Sequence, residues 1–230
     1  MEKRMAVKKK KCVKMLLCSG VTIAVVVSGV YVTQRFWAHR QEYHFATDMV
    51  CTPLLGWFTR EDRMVAEEEF SFKELKPGDI LVTLSTHSLG WRHGHAALVL
   101  DEETTLESTV WGEDSCIGQV ESWKRYSGFA VLRVKDVSTG MGESVAAYAE
   151  RELCGVPYHL SAGFVGEKAP DTDMPYFGVQ CAYLVWYAWN FFGVDLDSDG
   201  GRLVTATDLL EADKLEVVEI YGIDPRKYLK

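Results

Sequence analysis

The sequence predicts an α+β class domain in which an antiparallel sheet packs on helices, preceded by one transmembrane helix. Three observations lead there. Strand-like runs cluster between residues 73 and 134 and helical runs follow them. An uncharged apolar stretch covers residues 15–33. Charge is partitioned along the 230 residues rather than spread evenly. Strands and helices that are segregated, not alternating, argue against a doubly wound parallel sheet.

The first fourteen residues hold Lys3, Arg4, Lys8, Lys9, Lys10, Lys11 and Lys14 against Glu2 alone. The whole chain carries a formal charge of -8, so the acidic excess lies beyond this basic head. An acidic body lacks the clustered Lys and Arg that phosphate contacts need, which excludes nucleic-acid binding. The apolar stretch MLLCSGVTIAVVVSGVYVT would span about 28 Å as a helix, close to the roughly 30 Å of a bilayer core. Basic residues ahead of it place the N-terminus in the cytoplasm. The expected organisation is therefore a cytoplasmic head (1–14), a transmembrane helix (15–33), a juxtamembrane stalk (34–70) and a hydrolase domain (71–230). That domain would lie outside the cell membrane, with the membrane as partner through the anchor. A cleaved signal peptide is the competing reading of the same stretch.

Within the body, Pro77 and Gly78 form a turn before the strand-like DILVTLS. HSLGWRHGH (87–95) leads into AALVL (96–100), a run of buried-strand length. DEET (101–104) makes a turn, TLESTV (105–110) alternates as a strand, and FAVLRV (129–134) is another. Val145, Ala146, Ala149 and Leu153 recur at helical spacing over 142–154, with Gly155 as a stop signal. A Gly/Pro/Asp loop over 163–178 precedes QCAYLVWYAWNFFG (180–193), which is apolar nearly all round and marks a buried helix.

Three residues carry the chemistry. Cys181 stands where the loop becomes the buried helix, and a helix N-terminus stabilises a thiolate. The competing reading is a core cysteine. His95 opens the AALVL strand directly after Gly94 and titrates near neutrality, so it can take and return a proton. Glu107 lies twelve residues on, in the next strand, where a hairpin over 101–104 would set it beside His95 to hold the ring.

KPGDIL, GHAALVL, TLES and QCAYLVW, in that order and spacing, resemble the NlpC-type papain-like superfamily. More narrowly they are similar to its circularly permuted YiiX-like branch, in which the histidine strand precedes the cysteine helix. The resemblance covers roughly residues 70–225 and implies Cys181 as nucleophile, His95 as general base and acid, and Glu107 as the residue orienting His95. It further implies a cysteine amidase or peptidase, bacterial, acting on cell-wall peptide or a small amide through a thioester, with no cofactor. Two features depart from many relatives: Ala182 follows the cysteine where Ser is usual, and Gln180 precedes it where Asp or Tyr is usual. Gln180, Tyr176 and Tyr158 compete for the oxyanion role, and Trp91 and Trp111 are candidates for a substrate groove.

Weaker signals remain. His87, His93 and His95 lack a carboxylate or cysteine at a familiar ligand spacing, so no metal is assigned to them. DLDSDGG (195–201) resembles the start of a calcium loop, but Ala206 stands where an EF-hand places Glu. Cys51, Cys116 and Cys154 are candidates for pairing. Two other functions stay open: a thiol-dependent lipid acyltransferase or lipase of the lecithin–retinol acyltransferase type, and a non-catalytic binding module on the same fold.

Overall fold

The Pro77–Gly78 turn sends the chain into the first strand of a six-stranded sheet, and Gly78 takes a positive φ of 89° to do so. In a computed structural model of the chain, the residues described are 72, 74–86, 93–109, 112–164, 168 and 178–229. Two compact units are present, Met1–Glu42 and Tyr43–Lys230, and the described residues all belong to the second.

The strands are β1 (Ile80–Thr83), β2 (His95–Val99), β3 (Thr104–Glu107), β4 (Cys116–Gln119), β5 (Gly128–Val134) and β6 (Leu215–Gly222). They lie in the order β4-β3-β2-β1-β5-β6, each pair antiparallel. Three helices accompany them among the described residues: α1 (Thr139–Glu152), α2 (Cys181–Phe191) and α3 (Ala206–Glu211). This is the expected α+β arrangement of an antiparallel sheet packed on helices.

Side chains alternate across a strand, so each sheet face collects every second residue. Ile80, Val82, Ala96, Leu98, Leu106 and Leu132 face the helices, where they meet Val145 and Ala149 of α1 and Leu184, Val185 and Trp189 of α2. Leu81, Ala97, Val99 and Val131 face the other way, under Trp123, Tyr126, Phe129 and Tyr221. A 3-10 helix, Val120–Arg125, supplies Trp123 to that second layer. With both faces covered, β1 and β2 are buried at every position, which is why they read as continuous apolar runs. Fully buried side chains such as Leu184 and Trp189 each contribute on the order of 2–3 kcal/mol.

Local chemistry sets the helix ends. α1 starts at Thr139, three residues before the expected Gly142, because the Ser138 side chain accepts from the Met141 N–H. α3 opens on a capping box between Thr205 and Asp208. β3 ends at Glu107 rather than running to residue 110, because its β4 partner begins opposite it at Cys116. β4 and β6 lie beyond the expected strands: β4 is short and mostly exposed, and β6 carries Glu216 and Glu219 among its apolar residues, so neither makes an apolar run.

The membrane topology is corrected. No helix among the described residues is long and apolar enough to cross a membrane, and the expected span at 15–33 lies outside them. The expected transmembrane helix, the anchor to a membrane partner and the single-pass placement outside the cell membrane therefore find no support among the described residues.

Candidate functional site: a buried thiol, imidazole and carboxylate

The β2–β3 register pairs Ala97 with Glu107, which makes His95 and Glu107 diagonal neighbours on one sheet face. His95 Nε2–H donates to Glu107 Oε2 at 2.7 Å. Glu107 Oε1 accepts from Thr105 Oγ1 at 2.8 Å and from Trp123 Nε1 at 3.0 Å. The Trp123 ring stacks on His95 with centroids 5.4 Å apart and planes 18° from parallel. Three donors and one stacked ring thus leave the carboxylate and imidazole a single orientation.

At the N-terminal end of β2, α2 delivers Cys181 at its first position. The Cys181 and His95 side chains hydrogen-bond each other, which leaves Nδ1 as the histidine atom facing the thiol. Gln180 is the helix cap: its Oε1 accepts from Ala182 N–H at 3.0 Å and from Cys181 Sγ at 3.4 Å. Its Nε2 donates to the Val204 carbonyl. The Oε1 end of the Gln180 amide faces the thiol, and its Nε2 faces the Val204 carbonyl.

Charges follow from burial and pairing. Burial pushes the Glu107 carboxyl up, but the His95 hydrogen bond and charge, Arg125 and Thr105 together outweigh it and hold it at about 2. Burial pushes the His95 imidazole down, while Tyr126, Cys181 and Glu107 more than reverse this and keep it well above 6.5. Burial raises the Cys181 thiol, yet the His95 hydrogen bond and charge and the Ala96 and Ala182 N–H groups bring it below its ordinary value. Such a set can hold a thiolate–imidazolium pair at neutral pH.

Tyr158 stands beside Cys181: burial and the cysteine's charge push its hydroxyl up, so it stays protonated and able to donate. The bridge from Tyr158 to Val179 ties it to the α2 entrance. Tyr176, Trp91 and Trp111 lie outside the described residues, as does His87. His93 turns to the Gly94 carbonyl at 2.9 Å. The sequence gives no direct sign of the Trp123 and Thr105 bonds to Glu107 or of the role of Gly118. Gly118 lies opposite Thr105, and a Cβ there would come within 2.6 Å of Glu107 Oε1. Its only sequence signal is a glycine inside a strand, a mark of close approach.

A second cluster is formed by the segment between α2 and α3 together with the first turn of α3. Asp197, Asp199 and Asp208, respectively half-buried, exposed and buried, bring one carboxylate oxygen each within 4.8 Å of one another. Carboxylate oxygens suit a hard cation such as calcium, magnesium or manganese. The same residues have protein partners. Lys168 pairs with Asp197, Ser198 donates to Asp208 at 3.0 Å, and Gly201 N–H donates to Asp199 at 2.6 Å.

No family model matches the chain, and no curated protein matches it. Among solved structures, it is similar to the crystal structure of the metalloprotein YiiX from Escherichia coli O157:H7, described as DUF1105. The two share 16% identity and superpose with a TM-score of 0.47 over 66% of this chain and 100% of that one. The likeness to the YiiX fold is distant and partial. The expectation of a papain-like cysteine amidase or peptidase, a bacterial thiol protease cutting cell-wall peptide, is corrected by the acidic cluster. The described residues hold three carboxylates close enough together to take a cation.

Proposed function

We propose that the chain is a thiol-dependent acyltransferase or lipase on a permuted NlpC-type fold, with Cys181, His95 and Glu107 as its working residues. One observation carries the reading: Cys181 sits at a helix N-terminus, bonded to a histidine that a buried carboxylate orients. In this reading the Cys181 thiolate attacks an ester carbonyl, and the tetrahedral oxyanion takes a hydrogen bond from Tyr158. The imidazolium of His95 protonates the departing alkoxide, leaving an acyl thioester and neutral His95. An incoming acceptor hydroxyl, amine or water then gives its proton to His95 as it takes the acyl group. Glu107 stays ionised throughout and holds the ring.

An acyl chain is favoured over a polar peptide by what flanks Tyr158. Leu160 and Phe164 are 61% and 59% exposed, an unusual outlay of large apolar side chains on the turn that follows Tyr158. The test is mass analysis of the Cys181 peptide after incubation with activated esters of short and long chain. Acyl adducts on Cys181, more with long chains and none in Cys181→Ser, are expected. An unmodified thiol after every ester removes the reading.

A second reading rests on the acidic triad: a non-catalytic binding module that holds a divalent cation through Asp197, Asp199 and Asp208. A cation must compete there with the Lys168 ammonium. Calcium, magnesium and manganese titrations followed by thermal melting test it, with Asp199→Asn as the comparison. A melting point that no ion raises excludes this reading.

A further inference from the structure

Ser115 locks two distant segments together. Its N–H donates to the Val156 carbonyl at 2.8 Å, and its carbonyl accepts from Gly155 N–H at 2.7 Å. Its hydroxyl donates to the Leu153 carbonyl and accepts from Val156 N–H at 2.9 Å. Two residues facing one, with the first a glycine at φ +81°, is a G1-type bulge that joins the end of α1 to the start of β4. The residues flanking this bulge on the two segments are Cys116 and Cys154. Cys154 Sγ lies 3.9 Å from the Ser115 carbonyl oxygen, which belongs to the peptide group leading into Cys116. Both cysteines are free thiols, and both are exposed.

Chain segments paired in antiparallel fashion bring facing residues within the range a disulfide spans. We propose that Cys116 and Cys154 are a disulfide-forming pair, closed by exchange with a small-molecule disulfide and opened by a small-molecule thiol. In the first step the Cys154 thiolate, having lost its proton to solvent, attacks a sulfur of the small disulfide. It forms a mixed disulfide and releases one small thiolate. The Cys116 thiolate then attacks the Cys154 sulfur, forming the internal S–S bond and releasing the second small thiolate. Two protein thiols are oxidised and one small disulfide is reduced. Burial, with the charges of Glu107 and Glu113 beside it, pushes the Cys116 thiol up. The closed link would staple α1 to β4 at the position opposite Glu107. It does not depend on what Cys181 does.

The experiment treats the full folded chain with oxidised glutathione, blocks remaining thiols by alkylation, and maps peptides by mass spectrometry without reduction. The expected product is a peptide joined through Cys116 and Cys154, lighter by two hydrogens than its reduced parts. Dithiothreitol should reopen it. In Cys154→Ser, Cys116 should end as a glutathione adduct or stay free. Separate glutathione adducts on both residues of the unaltered chain, a link to any other cysteine, or two thiols that remain free would each overturn the proposal.

Discussion

Replacing Gly118 with alanine reports on the candidate site through one methyl group. The added Cβ would lie 2.6 Å from Glu107 Oε1 and 2.9 Å from Thr105 Oγ1, roughly 0.8 Å short of ordinary contact at the carboxylate. Glu107 cannot swing away cheaply, because His95, Thr105 and Trp123 all donate to it. Hydrogen bonds to a charged group are worth about 1.5–3 kcal/mol each, so losing or stretching two of them costs about 3 kcal/mol. Without that crowding, Gly→Ala would stabilise by about 0.4–1 kcal/mol through the unfolded chain, so the two accounts differ in sign. Urea unfolding at neutral pH reads the stability. Alkylation of Cys181 at pH 6 reads the site, since a displaced Glu107 supports the imidazolium less and the thiolate fraction falls. A Gly118→Ala chain as stable as the parent, with unchanged Cys181 reactivity, would mean that Glu107 is not crowded at this position.

Other outcomes follow from the same structure. A methyl group added at Gly140 of α1 would meet nothing within 4 Å, so Gly140→Ala should gain about 0.5–1 kcal/mol in the same urea assay. Arg133 donates to both oxygens of the buried Asp79 at 2.7 Å, so Arg133→Ala leaves that carboxylate with its bond from the Lys76 N–H but without its charge partner and should cost about 3 kcal/mol. Folding depresses the Glu107 pKa, so its contribution is full above pH 4.5 and is lost as pH falls toward about 2. Folding raises the His95 pKa, so its contribution is full below pH 6.5 and is lost as pH climbs through the folded value. Unfolding midpoints measured across acid, neutral and alkaline pH should therefore fall at both ends, and Glu107→Gln should flatten the acid limb.

The buried strands and the cysteine helix are legible in the sequence because continuous apolar runs bounded by Gly and Pro have few other interpretations. AALVL and QCAYLVW become β2 and α2 with little change in bounds. β4 is hidden because CIGQ is short, mostly exposed and without alternation. Its importance is positional: it carries Gly118, whose missing side chain makes room for Glu107. The meeting of His95 and Glu107 can be expected from a hairpin, whereas Trp123 cannot, since nothing local says that a 3-10 helix folds back over the sheet. The acidic triad shows the opposite limit. Asp197 and Asp199 stand in a calcium-like loop that lacks its closing Glu, but Asp208 joins them only through the start of α3.

The most direct test is the pH dependence of Cys181 alkylation, followed by peptide mapping, in the parent chain, His95→Ala and Glu107→Gln. A solitary thiol with a pKa near 8.5 is on the order of 0.3% thiolate at about pH 6. The account predicts a parent thiol that stays reactive at about pH 6, a loss of roughly tenfold or more in His95→Ala, and an intermediate profile in Glu107→Gln. A parent profile that matches a solitary thiol and does not change in either variant would contradict it.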